Sequence, residues 1–281
     1  MNKLLLFIFS IAYTISINAS HVPGGNISYK CISPNTYEIT LTVYEDCGTA
    51  FISSSPKSIN VSNSCGIPFS NSISLPNFVY QQEVSQLCDL LLSQSECNGG
   101  VFPGVFKHVW KGIVTLPSGC DSWIFSFDGC CRNASQNLIG TGNAYYFETV
   151  LNSNTSPCNN SPVISGSPIP YSCINQPVIY NFGVFETDGD SLVYSLVNAL
   201  EDPGILVQYQ SGYSGPSPIN GISINSSTGE ITFTPTIQGN FVVVVLIEEF
   251  DSNGNLVGSI MQDFTFEIIN CTTNFSPVPN P

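Results

Sequence analysis

Three carboxylates at alternate positions are the clearest candidates for chemistry in this sequence. Glu186, Asp188 and Asp190 are separated by single residues, so an extended chain places them on one side. Carboxylates this close repel one another unless a cation or solvent relieves them. Oxygen ligands in an irregular loop suit Ca²⁺ better than Mg²⁺, which demands near-octahedral geometry. We therefore predict a Ca²⁺ site at Glu186–Asp190, with a Kd of about 10⁻⁴ to 10⁻³ M, as in extracellular modules.

Short β-type segments must position this loop. The loop runs directly into Leu192–Val197, which predicts a half-buried strand. Phe241–Ile247 is apolar at every position and predicts a central strand covered on both faces, and Asn253-Gly254 predicts a hairpin into Leu256–Met261. The other predicted strands are Asn26–Ile32, Thr36–Tyr44, Val109–Leu116, Trp123–Phe127, Ala144–Leu151, Val178–Phe185, Gly221–Ile224, Glu230–Thr234, Asn240–Phe250 and Asp263–Ile269.

The strand pattern, with no helical repeat of comparable strength, predicts an all-β protein with two antiparallel β-sandwich domains in tandem. A disulfide-rich first domain is expected at 20–155 and a second sandwich at 177–270. Between them, 156–176 is rich in Pro, Ser and Asn and reads as a semi-rigid linker. Residues 271–281 form a predicted tail.

The N-terminus predicts export. Lys3, an apolar run over Leu4–Ile17 and the small residue Ala19 match a secretory signal at residues 1–19, so we expect a secreted, extracellular protein. No other stretch approaches the ~20 apolar residues of a membrane-spanning helix, so membrane insertion is not expected. A formal charge of −14 with six Lys plus Arg repels phosphate backbones, which excludes nucleic acid as a partner.

Eleven cysteines in an exported chain predict disulfides, and the sequence has no Cys-x-x-Cys pair that would favour a zinc site. Five bridges with one leftover thiol are expected. Local spacing favours a Cys88–Cys97 bridge and a Cys158–Cys173 bridge across the linker, which leaves Cys271 unpaired. A Cys173–Cys271 bridge is not expected, because a sandwich of this kind separates its two ends. The neighbours Cys130 and Cys131 would have different partners if they lie on a strand.

Catalytic groups that could converge are scarce, so we expect no enzyme. His108 shares a strand face with Phe106 and Trp110, which favours a structural role over that of a general base. The adjacent Glu248 and Glu249 face opposite ways on a strand and cannot flank one glycosidic bond.

Carbohydrate binding is the alternative function. The segment 207–216 is rich in Tyr, Ser and Gly, the composition of antibody contact loops. The rings of Tyr209 and Tyr213 are candidates to stack on a sugar, or else they cover their own sandwich.

The second predicted domain resembles cadherin-like, immunoglobulin-type sandwiches of bacterial proteins. The resemblance covers about a third of the chain and rests on 186–192 with 194–196, 224–225 with 227–231, and 239–241. It implies an immunoglobulin-like fold in which Asp188 and Asp190 ligate Ca²⁺.

The first predicted domain resembles the N-terminal part of large secreted surface proteins of gliding-type Gram-negative bacteria, through 19–25, 43–47, 119–123 and 130–133. This resemblance implies a structural or adhesive module at the cell surface, associated with gliding motility, whose partner is a surface protein or a glycan.

Overall fold

The computed structural model describes residues 21–48, 51–166 and 171–271. The predicted signal peptide and the predicted tail after Cys271 lie outside this part of the chain. The first eight strands are β1 Gly24–Ser33, β2 Thr36–Asp46, β3 Lys57–Asn63, β4 Ser72–Leu75, β5 Asn77–Glu83, β6 Val105–Thr115, β7 Trp123–Gly129 and β8 Tyr145–Leu151. Short 3₁₀ turns lie between β5 and β6, at Asp89–Gln94 and Glu96–Asn98.

The remaining strands are β9 Val163–Ile164, β10 Tyr171–Cys173, β11 Val178–Tyr180, β12 Val184–Phe185, β13 Ser191–Val197, β14 Leu200–Asp202, β15 Ile205–Leu206, β16 Ser223–Ile224, β17 Ile231–Phe233, β18 Gly239–Phe250 and β19 Leu256–Ile269. The all-β class is confirmed. No helix within the described ranges is long and apolar enough to cross a membrane.

Most strands belong to one sheet of twelve. Its order is β4-β3-β7-β8-β19-β1-β2-β6-β5, with β10 and β18 also paired to β19, and β13 paired to β18. Neighbours are antiparallel except β10, which runs parallel to the end of β19. The predicted hairpin is confirmed: β18 and β19 pair along their lengths, and the turn between them is closed by the carboxylate of Asp251, which accepts the N–H groups of Asn253 and Asn255.

The first core follows from the alternation of β2. Ile39, Leu41 and Val43 are buried on one face, where they join Trp110 of β6 and Trp123 of β7. Intervening residues of β2 such as Thr40 point to the other face, because successive side chains of a strand project to opposite sides.

A second core is dominated by aromatic rings. Phe264 and Phe266 of β19 contact each other, and both rings contact Tyr180 of β11. Phe233 of β17 packs edge-on against Phe266, at 4.8 Å between ring centroids. The uninterrupted apolar run of β18 is explained by cover on both faces: Val243 and Val245 lie in this core, whereas Val242 and Val244 lie in a smaller third cluster.

The sheet crosses the predicted domain boundary. Gly25 of β1 lies opposite Asp263 of β19, and Val150 of β8 lies opposite Ser259. The strands assigned to two domains therefore share one hydrogen-bonded sheet, so the structure does not show two tandem sandwiches.

A buried ion pair reinforces this junction. The Arg132 guanidinium lies 2.7 Å from Oδ1 and 2.6 Å from Oδ2 of Asp263, and both side chains are almost fully buried. Further guanidinium N–H groups donate to the carbonyls of Ala144 and Leu200. This residue thus joins the loop after β7 to β19.

The expected number of bridges is confirmed, but the pairings were wrong. The structure has five disulfides: Cys31–Cys158, Cys47–Cys97, Cys65–Cys120, Cys130–Cys131 and Cys173–Cys271. The free thiol is the exposed Cys88, not Cys271. Cys97 bonds Cys47 because Cys47, at the end of β2, lies beside the 3₁₀ turn that contains Cys97.

Two further cysteine predictions were wrong for reasons of chain geometry. The parallel pairing of β10 puts Cys173 opposite Ile269, so Cys271 is in reach, and Cys158 instead bonds Cys31 of β1. Cys130 and Cys131 follow the end of β7 rather than lying within a strand, so the opposite-face argument does not apply and they bond each other.

Candidate cation site

The acidic loop connects β12 to β13. One carboxylate oxygen from each of Glu186, Asp188 and Asp190 lies within 4.8 Å of the others. The structure thus brings the three predicted ligands together. Gly189 has φ of +89°, a left-handed conformation that favours glycine, and this residue lets the chain turn tightly within the cluster.

Glu186 organises the loop from its first position. Its carboxylate accepts the backbone N–H groups of Asp188, Gly189 and Asp190 at 2.7, 2.5 and 2.8 Å. These donors stabilise one negative charge without any cation. They also occupy much of the coordinating capacity of Glu186, because a carboxylate offers about four lone-pair positions.

Asp188 anchors the loop to the rest of the protein. Its two carboxylate oxygens accept the backbone and side-chain N–H groups of Asn160, at 2.6 and 2.7 Å. The side-chain carbonyl of Asn160 in turn accepts the backbone N–H of Cys31. A continuous hydrogen-bonded path therefore runs from the acidic loop to β1, beside the Cys31–Cys158 disulfide.

Asp190 is the predicted ligand whose carboxylate is most strongly disfavoured by its surroundings. Burial raises the pKa of its carboxyl, and the nearby carboxylates of Glu186, Asp188 and Asp251 raise it further. A bound divalent cation would offset this repulsion. The donor set fits Ca²⁺, since it consists of oxygens alone, but three carboxylates leave half or more of the 6–8 ligand positions to other groups.

Glu249 of β18 lies close enough to influence the loop but belongs to a separate buried group. Burial raises the pKa of its carboxyl to about 8, with smaller contributions from Glu186 and Asp190. Its Oε2 accepts the side-chain N–H of Asn159 at 3.0 Å and lies 3.3 Å from the Tyr29 hydroxyl. Glu248 is partly exposed on the opposite face, as the strand alternation predicted.

The two tyrosines proposed for sugar stacking are both half-buried. The hydroxyl of Tyr209 accepts the backbone N–H of Ala199, and its ring packs on the third cluster. Tyr213 packs on the second core, edge-on to Phe241 with 6.0 Å between ring centroids. Each ring therefore covers apolar residues of its own chain, and the cavity beside Tyr213 has a volume of about 10 Å³.

His108 occupies an enclosed position. The ring is fully buried and stacks on Trp110, with Phe106 and Tyr80 at its edges. Its Nε2 lies 2.9 Å from Oε2 of Glu45, which also accepts the backbone N–H of Ile52. The expected face shared with Phe106 and Trp110 is confirmed.

Sequence reasoning missed the asparagines that hold the loop. Asn159 and Asn160 lie in the predicted linker, yet they contact Glu249 and Asp188 and thereby tie this segment to both regions. The available signal was their position directly after Cys158, because a disulfide fixes the residues beside it.

Comparison with known proteins gives one distant similarity. No protein-family model matches this chain, and no solved structure matches it. Over 258 residues the chain is 26% identical to integrin beta-like protein A of Dictyostelium discoideum. The match covers 89% of this chain and 12% of the length of that protein.

Proposed function

We propose that this chain is a secreted, non-enzymatic module that provides structure or adhesion at a cell surface. The observation that carries the proposal is the similarity of nearly the whole chain to part of an integrin beta-like protein. A continuous sheet cross-linked by disulfides suits a module that must bear mechanical load outside the cell. The resemblance of the sequence to surface proteins of gliding-type bacteria supports the same class of function.

The cysteines support an extracellular location. Ten of the eleven cysteines are paired, and disulfides persist in oxidising compartments. The signal-like residues 1–19 agree with this assignment.

A non-enzymatic role is supported by the position of the polar groups. Within the described ranges, the histidine–carboxylate pair closer than 4.0 Å is His108–Glu45, and both side chains are buried from solvent. General acid–base catalysis requires a group within hydrogen-bond reach of the substrate.

Ca²⁺ is the proposed cofactor, held by Glu186, Asp188 and Asp190. The hydrogen bonds of Asp188 to Asn160 mean that a cation at this loop would also stiffen the link to β1. The cadherin-like resemblance supports the same role. Sugar binding at Tyr209 and Tyr213 is the weaker alternative, since both rings pack on the protein's own cores.

Adhesion is testable with beads. Residues 20–281 are coupled to beads through the exposed thiol of Cys88 and flowed over a panel of bacterial and amoeboid cell layers. We expect retention on at least one cell type above that of control beads on which the coupled chain was afterwards reduced and alkylated, so that it has lost its disulfides. Equal retention of the two bead types on every layer would contradict an adhesive function.

A further inference from the structure

The face of β2 opposite the first core is polar. Thr40 lies opposite Ser28 of β1 and opposite Lys111 of β6. Residues opposite one another in antiparallel strands project to the same side of the sheet, so these rows form one surface. Its hydroxyl and ammonium side chains include Ser28, Lys30, Thr40, Thr42, Lys107 and Lys111.

This polar surface is the floor of a cleft of about 260 Å³. Pro162, Val163 and Ile164, in the segment that leads into and forms β9, line the cleft, as does Ile260 of β19. The backbone N–H of Ser161 donates to the carbonyl of Tyr29, and the Ser161 hydroxyl accepts the backbone N–H of Tyr29, so this segment is held beside β1. The cleft therefore combines a polar floor with an apolar wall.

The cleft concentrates the positive charge of an acidic protein. Three of the six basic residues of the chain line it, although the formal net charge is −14. Lys111 pairs with Glu38 at 2.8 Å, whereas Lys30 and Lys107 have no ion pair within the described ranges. Glu38 is the acidic residue among the lining groups, so two positive charges are in excess.

Neutral hydroxyl groups in the cleft are also available to hydrogen-bond a ligand. No hydrogen bond to another described residue engages the hydroxyls of Ser28, Thr40 and Thr42. The backbone of β2 is different, because β1 and β6 pair with it on both sides. A peptide cannot add to it as a further strand, so recognition in this cleft must use side chains.

We propose that this cleft binds one unit of an anionic saccharide. The ammonium groups of Lys30 and Lys107 pair with its carboxylate or sulfate, the hydroxyls of Thr40 and Thr42 hydrogen-bond its ring hydroxyls, and Pro162 and Val163 contact the apolar face of the ring. The volume is below the range of about 300–1,000 Å³ of drug-sized sites, which suits a single sugar unit with the rest of the chain in solvent. This inference goes beyond the proposed function, because the cleft requires neither Ca²⁺ nor adhesion.

Calorimetric titration at low ionic strength tests the proposal with four ligands. Tetragalacturonate carries carboxylates, a sulfated galactan tetrasaccharide carries sulfates, maltotetraose is neutral, and a tetraglutamate peptide is anionic without sugar rings. We expect at least one anionic saccharide to bind with a Kd of about 1 mM or lower, and maltotetraose and the peptide at least about tenfold more weakly. The stronger saccharide identifies the anionic group.

Variants locate the binding. Lys30→Gln and Lys107→Gln keep the side-chain stems and should each weaken saccharide binding about threefold to tenfold. Lys57→Gln is the matched control, because Lys57 lies over the ring of Trp110 and not in the cleft, and its affinity should equal that of the wild type. The proposal is overturned by no saccharide binding up to about 10 mM, by equal binding of maltotetraose or the peptide, or by an unchanged affinity of the double variant Lys30→Gln with Lys107→Gln.

Discussion

The two main cores of this molecule are held together in different ways. Three disulfides fix the long connections around the first core: Cys31–Cys158, Cys47–Cys97 and Cys65–Cys120. The second core has one, Cys173–Cys271, and relies instead on contacts among aromatic rings. Long irregular connections lose much conformational entropy on folding, and cross-links reduce that loss by constraining the unfolded chain. The second core needs fewer cross-links because its main hairpin closes through a short turn.

β19 belongs to both arrangements. Phe264 and Phe266 face the second core, while the same strand pairs with β1 and β8 around the first core. Since the Arg132–Asp263 ion pair lies at this junction, it is the place where the independence of the two regions can be tested.

The largest effect is expected from Arg132→Met. This change leaves the buried carboxylate of Asp263 without its partner and should lower the free energy of unfolding by about 3–5 kcal/mol. Chemical denaturation measures the loss. Trp110 and Trp123, the two tryptophans of the chain, lie in the first core and report its unfolding, while hydrogen exchange in β18 reports on the second. We expect the free energy of unfolding reported by the tryptophans and that reported by hydrogen exchange in β18 to fall together.

A double variant separates charge from packing. Arg132→Met with Asp263→Leu removes both charges and should recover much of the lost stability, because an apolar pair can replace a buried ion pair. If the single variant destabilises the first core and leaves the exchange of β18 unchanged, the two regions are independent and the shared strand does not couple them.

The second largest effect concerns the single bridge of the second region. Cys173→Ser with Cys271→Ser should cost about 2–4 kcal/mol, and Cys65→Ser with Cys120→Ser, in the first region, is the matched comparison. The bridged residues are 98 and 55 positions apart, so loop entropy alone predicts a difference below about 1 kcal/mol. Urea unfolding of both variants measures it. A much larger loss for Cys65→Ser with Cys120→Ser than for Cys173→Ser with Cys271→Ser would show that aromatic packing replaces the constraint of the disulfide in the second region.

The sequence was sufficient for local structure. Strands such as Thr36–Tyr44 and Trp123–Phe127 were predicted within a few residues, because alternation and turn residues are read over a short window. The pairing of β19 with β1 was missed, since it joins residues more than 200 positions apart and no local pattern encodes it. The disulfide partners follow from such long-range pairings, which is why spacing alone gave the wrong ones.

The candidate site was also predictable only in part, because its local features follow from the sequence and its long-range contacts do not. The three carboxylates were predicted from their alternation in one loop, and the structure brings them together. Their partner Asn160 lies 28 positions before Asp188 and came from a segment predicted to be a linker. The cleft over β2 likewise needs β1, β2, β6 and β19 together with the segment that leads into and forms β9, so composition alone could not assemble it.

The third effect is a pH dependence that originates in the junction of the two regions. Burial raises the pKa of Glu249 to about 8 and that of Asp46, near the end of β2, to about 7. The folded protein therefore holds these protons more tightly than the unfolded chain. Their stabilising effect is full below the unfolded pKa values of about 4 and is lost as the pH rises through 7 and 8. Urea unfolding should thus show lower stability at pH 8 than at pH 5.

Glu249→Gln isolates one of these groups. Glutamine can still accept the N–H of Asn159 but does not titrate, so the fall in stability with pH should lessen by up to about 1.4 kcal/mol per pH unit. Glu248→Gln, one residue earlier on the opposite face of β18, is the matched control and should keep the wild-type pH dependence. Identical pH profiles for wild type and Glu249→Gln would show that the buried carboxyl does not take up a proton on folding.

The smallest expected effect is the stabilisation by Ca²⁺, which tests whether a cation supplements the single disulfide of the second region. At about 1 mM Ca²⁺, a site with a Kd of about 10⁻⁴ to 10⁻³ M adds about 0.4–1.4 kcal/mol to the free energy of unfolding. Asp188→Asn with Asp190→Asn should abolish the increment, whereas Glu230→Gln, outside the cluster, should keep it. Comparing each protein with and without chelator cancels the loss of the Asp188–Asn160 contact, since that loss affects both conditions. If wild-type stability is the same in chelator and in about 10 mM Ca²⁺, the loop binds no stabilising cation. The N–H groups that Glu186 accepts and the hydrogen bonds of Asp188 to Asn160 then suffice to hold the loop. In that case the second region depends on its aromatic core and one disulfide.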